Sequence, residues 1–208
     1  MEEIKLNSKN RISALQKALE ILNKGGVIVY PTETSYGLGG DFFDQRVVNK
    51  IYKIKQRDKN KALPVLVPDL KTASALAEFP LFATELARKY WPGPLTLVLP
   101  YRYCDWHKCH QDSLAMRISS FAWTKNLVEL FGKPLISTSF NLSQQKSAYQ
   151  VKEIKKYLAL LNIKPDLFIN AGNLPKNLAS TIIKVNRDNS WELLRQGEIN
   201  PVMPRGDK

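Results

Sequence analysis

The run Val27-Ile-Val-Tyr30 lies between the pair Gly25-Gly26 and Pro31. Apolar residues without polar alternation, bounded by strong turn formers, read as a short buried strand. Its flanks are helical. Upstream, Ile12, Leu15, Leu19 and Leu22 recur at helical spacing until Gly25-Gly26 stop them. Downstream, Asp44 can cap a helix whose apolar stripe is Val47 or Val48, Ile51 and Ile54.

The same interleaving continues along the chain. Strand candidates are Leu63 to Val67, Leu95 to Leu99, Leu114 to Ile118, Leu135 to Ser137, Leu167 to Asn170, Thr181 to Val185 and Trp191 to Leu194. Pro64 moves the first of these toward an edge or a strand start. Helices fit 69–77 and 81–90, divided by Phe79-Pro80, and then 121–131 and 150–161. Trp91-Pro-Gly-Pro94 forces a turn between the second of these and the strand after it. Alternating helices and strands indicate an α/β fold, and the adjacent late strands make its sheet mixed.

At 208 residues the chain has the length of one domain with a sizeable core, and no repeat or low-complexity linker divides it. We expect a single domain over 1–208 with a core of about 10–200, and disorder only in the first eight residues and in Pro204 to Lys208. No apolar run approaches the ~20 residues of a membrane span, and the start lacks the order of a secretory signal. The expected address is cytoplasmic, with no membrane partner.

The 31 basic residues exceed the 19 acidic ones by 12. Such a balance draws nucleotides, carboxylates or RNA, although lysines spread this evenly also suit plain solvated faces. The two cysteines, Cys104 and Cys109, share YRYCDWHKCH with His107 and His110. Tetrahedral zinc sites usually draw on two separated ligand pairs. A loop with free thiols, or a facultative metal contact, therefore fits better than a structural zinc.

Ligands of open α/β sheets bind beyond strand ends, and four such ends here are polar. In Pro31-Thr-Glu-Thr-Ser-Tyr36, an extended backbone puts Thr32, Thr34 and Tyr36 on one side and Glu33 on the other. Those hydroxyls suit an amino-acid ligand or a phosphate shell, or else bond their own turn. The glycines that follow fit neither Walker nor Rossmann spacing, and read as a tight turn behind that wall. Lys55 and Arg57 end the second helix and Lys61 follows, so three cations converge on one anion or complement the helix dipole. Ser137, Ser139 and Asn141 project together beyond another strand. Arg117 and Arg195 each end a core strand, where each needs a salt bridge or an anionic ligand. Ser180-Thr181 adds two more hydroxyls.

In order, PTETSYGLGGD, KQR, WPGPLTLVLP, LAMRIS, STSFN, AST and LLRQGE resemble the YrdC-like family of threonylcarbamoyl-adenylate synthases, also called TsaC, over roughly residues 10–200. The likeness is to the family's single-domain form. It implies a twisted mixed β-sheet with flanking helices around a deep, positively lined cavity. It also implies a reaction joining L-threonine, bicarbonate and ATP (with Mg2+) into threonylcarbamoyl-adenylate and pyrophosphate, for the t6A modification of tRNA by downstream transferase machinery.

By motif position the resemblance assigns catalysis to Lys55, Arg57, Ser139 and Asn141. It gives threonine to Thr32 (as a buttress), Thr34, Arg117, Ser139 and Ser180. It gives ATP to Arg57, Lys61, Ser113, Asn141, Tyr149 and Arg195, and no residue to a metal. The chain departs from the family pattern at Asp58, Gln144 and Gln196, at Leu66 in place of a histidine, and at Tyr149 in place of a threonine. Two rivals remain. One is an RNA-binding module that holds double-stranded RNA or tRNA in the basic cavity without catalysis. The other is a carbamoyl-transfer enzyme of hydrogenase maturation, whose acylphosphatase and zinc-finger segments find no room in this chain.

Overall fold

The computed structural model describes residues 1–102, 112–141 and 147–201. Cys104, His107, Cys109, His110, Gln144 and the tail from Pro204 lie outside the described residues. The elements begin with β1 (Glu2–Lys5), α1 (Arg11–Asn23), β2 (Ile28–Pro31), β3 (Tyr36–Gly39), α2 (Gln45–Lys55) and β4 (Val65–Leu66). Then come α3 (Leu70–Leu76), α4 (Leu81–Tyr90), β5 (Leu95–Pro100), β6 (Ser113–Arg117), α5 (Ala122–Phe131) and β7 (Leu135–Ile136). The last are β8 (Thr138–Ser139), α6 (Val151–Leu160), β9 (Leu167–Asn170), β10 (Thr181–Val185) and β11 (Trp191–Arg195).

The α/β class holds, and its strands divide between two mixed sheets. One runs β1-β9-β2-β3-β8 and the other β11-β10-β5-β6-β4-β7. They meet where the chain passes from β7 to β8, beside an Asp41–Leu135 bridge and an Ile136 N–H to Gly40 carbonyl bond of 2.9 Å. Alternation along the second sheet divides its side chains between a core and a cavity. Leu95, Leu97, Leu99, Leu114, Met116, Ile183 and Val185 pack with α3 and α4 on one face. Their neighbours Thr96, Val98, Ser113, Ala115, Arg117, Ile182 and Lys184 look the other way, into a cavity. The first sheet is buried on both faces, with residues of α2 and α6 on one side and of α1 and α5 on the other. Among the described residues no helix is long and apolar enough to cross a membrane.

Four local expectations change. The first eight residues are not loose, because β1 pairs in parallel with β9 from Glu2–Leu167 to Lys5–Asn170. The sequence EEIK has no strand pattern of its own, so its order comes from a non-local partner. Ile12 stays 73% exposed, and the buried face of α1 is Ala14, Leu15, Ala18 and Leu22. The stretch after Pro31 is not extended through Tyr36. Instead it turns tightly at Thr32–Ser35, with Thr32 N–H bonded to the Ser35 carbonyl at 3.1 Å, and Tyr36 enters the core. Gly37 and Gly39 then lie within β3 rather than in a turn. A Cβ on Gly39 would come within 2.1 Å of the Ile136 carbonyl oxygen, so the strand can pass there only without a side chain.

Candidate active site

The cavity between the two sheets has a volume of about 590 Å³. Its floor is the inner face of the second sheet. Its roof is the Thr32–Ser35 turn together with Ser137, Thr138 and Ser139. Hydroxyl side chains dominate the lining. Among the described residues its charges are Arg57, Arg117, Lys184 and Arg195 against one carboxylate, Glu192.

The end of α2 supplies one corner. Asp44 caps this helix by accepting from Arg46 N–H at 2.9 Å, and Val47, Ile51 and Ile54 bury its apolar stripe. Gln56 then adopts a left-handed conformation (φ 49°) at the C-cap. That single residue separates two destinies. Lys55, on the last helical turn, is driven inward and is only 2% exposed. Arg57, past the reversal, reaches the cavity while its Nη2 donates to the Ala62 carbonyl at 2.9 Å. Lys55 Nζ donates to the Ser139 carbonyl at 2.5 Å and to Asn141 Oδ1, which also accepts from Ser139 Oγ at 2.8 Å. Burial, with the nearby Arg57 charge adding to it, pushes the Lys55 amine down to about 7.

In the roof, Thr32 Oγ1 donates to the Ser35 carbonyl at 2.7 Å and accepts from the N–H groups of Thr34 and Ser35 at 3.2 Å each. Its hydroxyl is therefore occupied in holding the turn, 3.1 Å from Thr34 Oγ1. Glu33 leaves the same turn toward the second sheet. There it forms an ion pair with Arg117 and accepts from Ser119 Oγ at 2.5 Å. Burial lowers the Arg117 guanidinium to about 10, which leaves it charged at neutral pH.

The far corner is built on β10 and β11. Thr96 Oγ1 and Ser180 Oγ lie 2.8 Å apart, and Arg195 donates to the Ser180 carbonyl and Oγ at 3.0 Å each. A bulge makes this possible. Ile182 faces Arg195 while Ile183 faces Leu193, so Leu194 is an extra residue in the ladder. Strict alternation would send Leu194 and Arg195 to opposite faces, whereas both line the cavity. Tyr149 closes the side, its hydroxyl donating to the Asn177 carbonyl at 3.1 Å, and Asn177 Nδ2 donates to the Glu33 carbonyl at 2.9 Å.

Of the residues singled out in the sequence, Thr32, Thr34, Arg57, Ser113, Arg117, Ser139, Tyr149, Ser180 and Arg195 line one cavity. Lys55 and Asn141 stand one layer behind Ser139. Lys61 is exposed outside the lining; its carbonyl accepts from Tyr52 and Arg57, and its N–H donates to the Asp58 carbonyl at 3.1 Å. Thr96, Lys184 and Asn177 were missed. Thr96 and Lys184 are detectable as lone polar residues inside the runs LTLVL and TIIKV, whereas Asn177 gives no local signal. Among the described residues no cluster of three His, Cys, Asp or Glu side chains could hold a metal ion.

Comparison with known proteins supplies the family and the fold. A family model named Sua5_yciO_yrdC and described as telomere recombination matches residues 20–197. The chain is 33% identical over 174 residues to a threonylcarbamoyl-AMP synthase of Psychromonas ingrahamii, covering 80% of this chain and 91% of the relative. It is 37% identical over 139 residues to the enzyme of the same name from Methylococcus capsulatus, covering 64% and 74%. The crystal structure of P. abyssi Sua5 complexed with L-threonine superposes with a TM-score of 0.81 at 27% identity, over 94% of this chain. The present chain spans 56% of that protein's length.

Proposed function

The chain belongs to the Sua5/YciO/YrdC family, and we propose that it is a threonylcarbamoyl-AMP synthase. The observation that carries this reading is the enclosure in one cavity of hydroxyls and separate cationic corners, Arg57 with Lys55 behind it and Arg195 on Ser180. A volume of about 590 Å³ lies within the range of ligand cavities, ~300–1,000 Å³.

The proposed chemistry needs little beyond positioning. The threonine amine attacks bicarbonate carbon, water leaves, and a carbamate forms. A carbamate oxygen then attacks the α-phosphorus of ATP and pyrophosphate departs. Enclosure protects the carbamate from water, and cations offset the charge that builds on phosphate oxygens. Thr34, Ser139, Ser180 and Arg117 are the proposed threonine contacts. Arg57, Ser113, Asn141, Tyr149 and Arg195 are those proposed for the nucleotide. Lys55 organises Ser139 and Asn141, and Thr32 holds the roof. Without a carboxylate cluster in the described lining, Mg2+ would enter on the nucleotide's own phosphates. The product would pass to the transferase machinery that modifies tRNA.

The test is an omission series. Pyrophosphate release should require threonine, bicarbonate, ATP and Mg2+ together, and Arg57→Ala should lose most of it while remaining folded. Release without threonine, or normal turnover by the variant, would overturn the proposal.

A further inference from the structure

We propose that Glu33 is a positioning residue, which fixes Arg117 in the cavity wall as a directed hydrogen-bond donor for the amino-acid substrate. This rests on the reaction proposed above. Glu33 sits between Thr32 and Thr34, whose residues line the cavity, yet Glu33 itself is not part of that lining. Its side chain crosses from the roof to the end of β6, where its side-chain exposure is 14% against 9% for its partner Arg117. Oε1 meets Arg117 Nη1, Oε2 accepts from Ser119 Oγ at 2.5 Å, and its backbone carbonyl accepts from Asn177 Nδ2 at 2.9 Å. One residue thus ties together the roof turn, the end of a floor strand and the segment that leads to Ser180.

Stability alone does not account for such a pair, since the desolvation of two buried charges commonly cancels their attraction. Placement does. A guanidinium already held by a carboxylate loses no rotamer freedom when substrate arrives. Its charge is also locally balanced, so phosphates find stronger partners in Arg57 and Arg195, and Arg117 is left to a carboxylate that can accept its oriented N–H groups. The pair separates two anionic groups of one reaction by giving them cations of different net charge.

The experiment compares wild type, Glu33→Gln and Ser119→Ala by steady-state kinetics, threonine calorimetry and thermal unfolding. Glu33→Gln should raise the KM and Kd for threonine at least tenfold while the KM for ATP stays within twofold. Ser119→Ala, which removes only a donor to Glu33, should move threonine binding the same way by about two- to fivefold. If the threonine constants of both folded variants stay within twofold of wild type, or if threonine binds more tightly, the role of Glu33 is overturned. A lowered Tm with unchanged threonine constants would mark a purely structural pair and overturns it too. Absence of threonine-dependent turnover in wild type would instead remove the proposed reaction itself and this inference with it.

Discussion

Arg117 and Arg195 both end strands of one sheet and both face one cavity, yet their surroundings treat their charge in opposite ways. Arg117 closes β6, an interior strand between β5 and β4, and is 7% exposed against the carboxylate of Glu33. Arg195 closes β11, the edge strand, where it stays exposed and is hydrogen-bonded to Ser180, with no acidic partner among the described residues. An interior strand end offers no water, so a cation there requires compensation. An edge strand leaves part of the guanidinium hydrated, and its positive charge remains available to a ligand. Two residues that look alike in sequence therefore become a directed donor and a net cation.

Stability should break the symmetry most strongly. Arg117→Met strands the Glu33 carboxylate in the interior, and loss of one partner of a buried pair costs ~3–5 kcal/mol. Arg195→Met should stay within ~1 kcal/mol, as expected where no such pair is lost, while raising the KM for ATP. Chemical denaturation of both variants measures this difference, and equal losses would dissolve the distinction.

Lys55 sharpens the comparison. It is as buried as Arg117, but its partners are neutral acceptors, the Ser139 carbonyl and Asn141 Oδ1. An arginine so placed keeps its proton, whereas a lysine yields it, which is why the Lys55 amine falls to about 7 from its ordinary 10.5. Between those values the unfolded chain holds a proton that the folded chain lacks. Stability should consequently rise with pH across that window, with the burial penalty complete below about 7 and gone above the ordinary lysine value. Lys55→Met should flatten this rise in denaturation midpoints measured from neutral to alkaline pH. An unchanged slope would mean that Lys55 is not the titrating group.

The smallest effect sets the background. Asp44 caps α2 at the end opposite Lys55, so Asp44→Ala should cost ~1 kcal/mol and leave both substrate constants unchanged. A large kinetic effect from this cap would show that the helix end, and not the cavity wall, governs the cationic corner.

Much of this was legible from residues alone, for definable reasons. The α2 stripe and its Asp44 cap depend on local spacing and stand where that spacing puts them; of the strand-end hydroxyls, Thr32, Thr34, Ser137 and Ser139 line the cavity, while Tyr36 turns into the core. What escaped depends on partners distant in the chain. The strand β1 exists because β9 offers it an edge. Gly39 lies in a strand because the Ile136 carbonyl occupies the space of a side chain. An extended backbone places Glu33 opposite the threonines, but nothing local says that Arg117 and Ser119 wait there. Arg195 reaches the cavity only through the extra residue Leu194, which no periodicity announces. Lys61 follows the same logic in reverse, since a cation near the clamp in sequence lies outside it in space.

The most direct measurement supplies isotopically labelled bicarbonate together with threonine and Mg2+-ATP, and follows the label by chromatography and mass spectrometry. A threonine-dependent labelled adenylate should appear in step with pyrophosphate. ATP consumption with no label in any adenylate, or labelling indifferent to threonine, would contradict the proposed reaction.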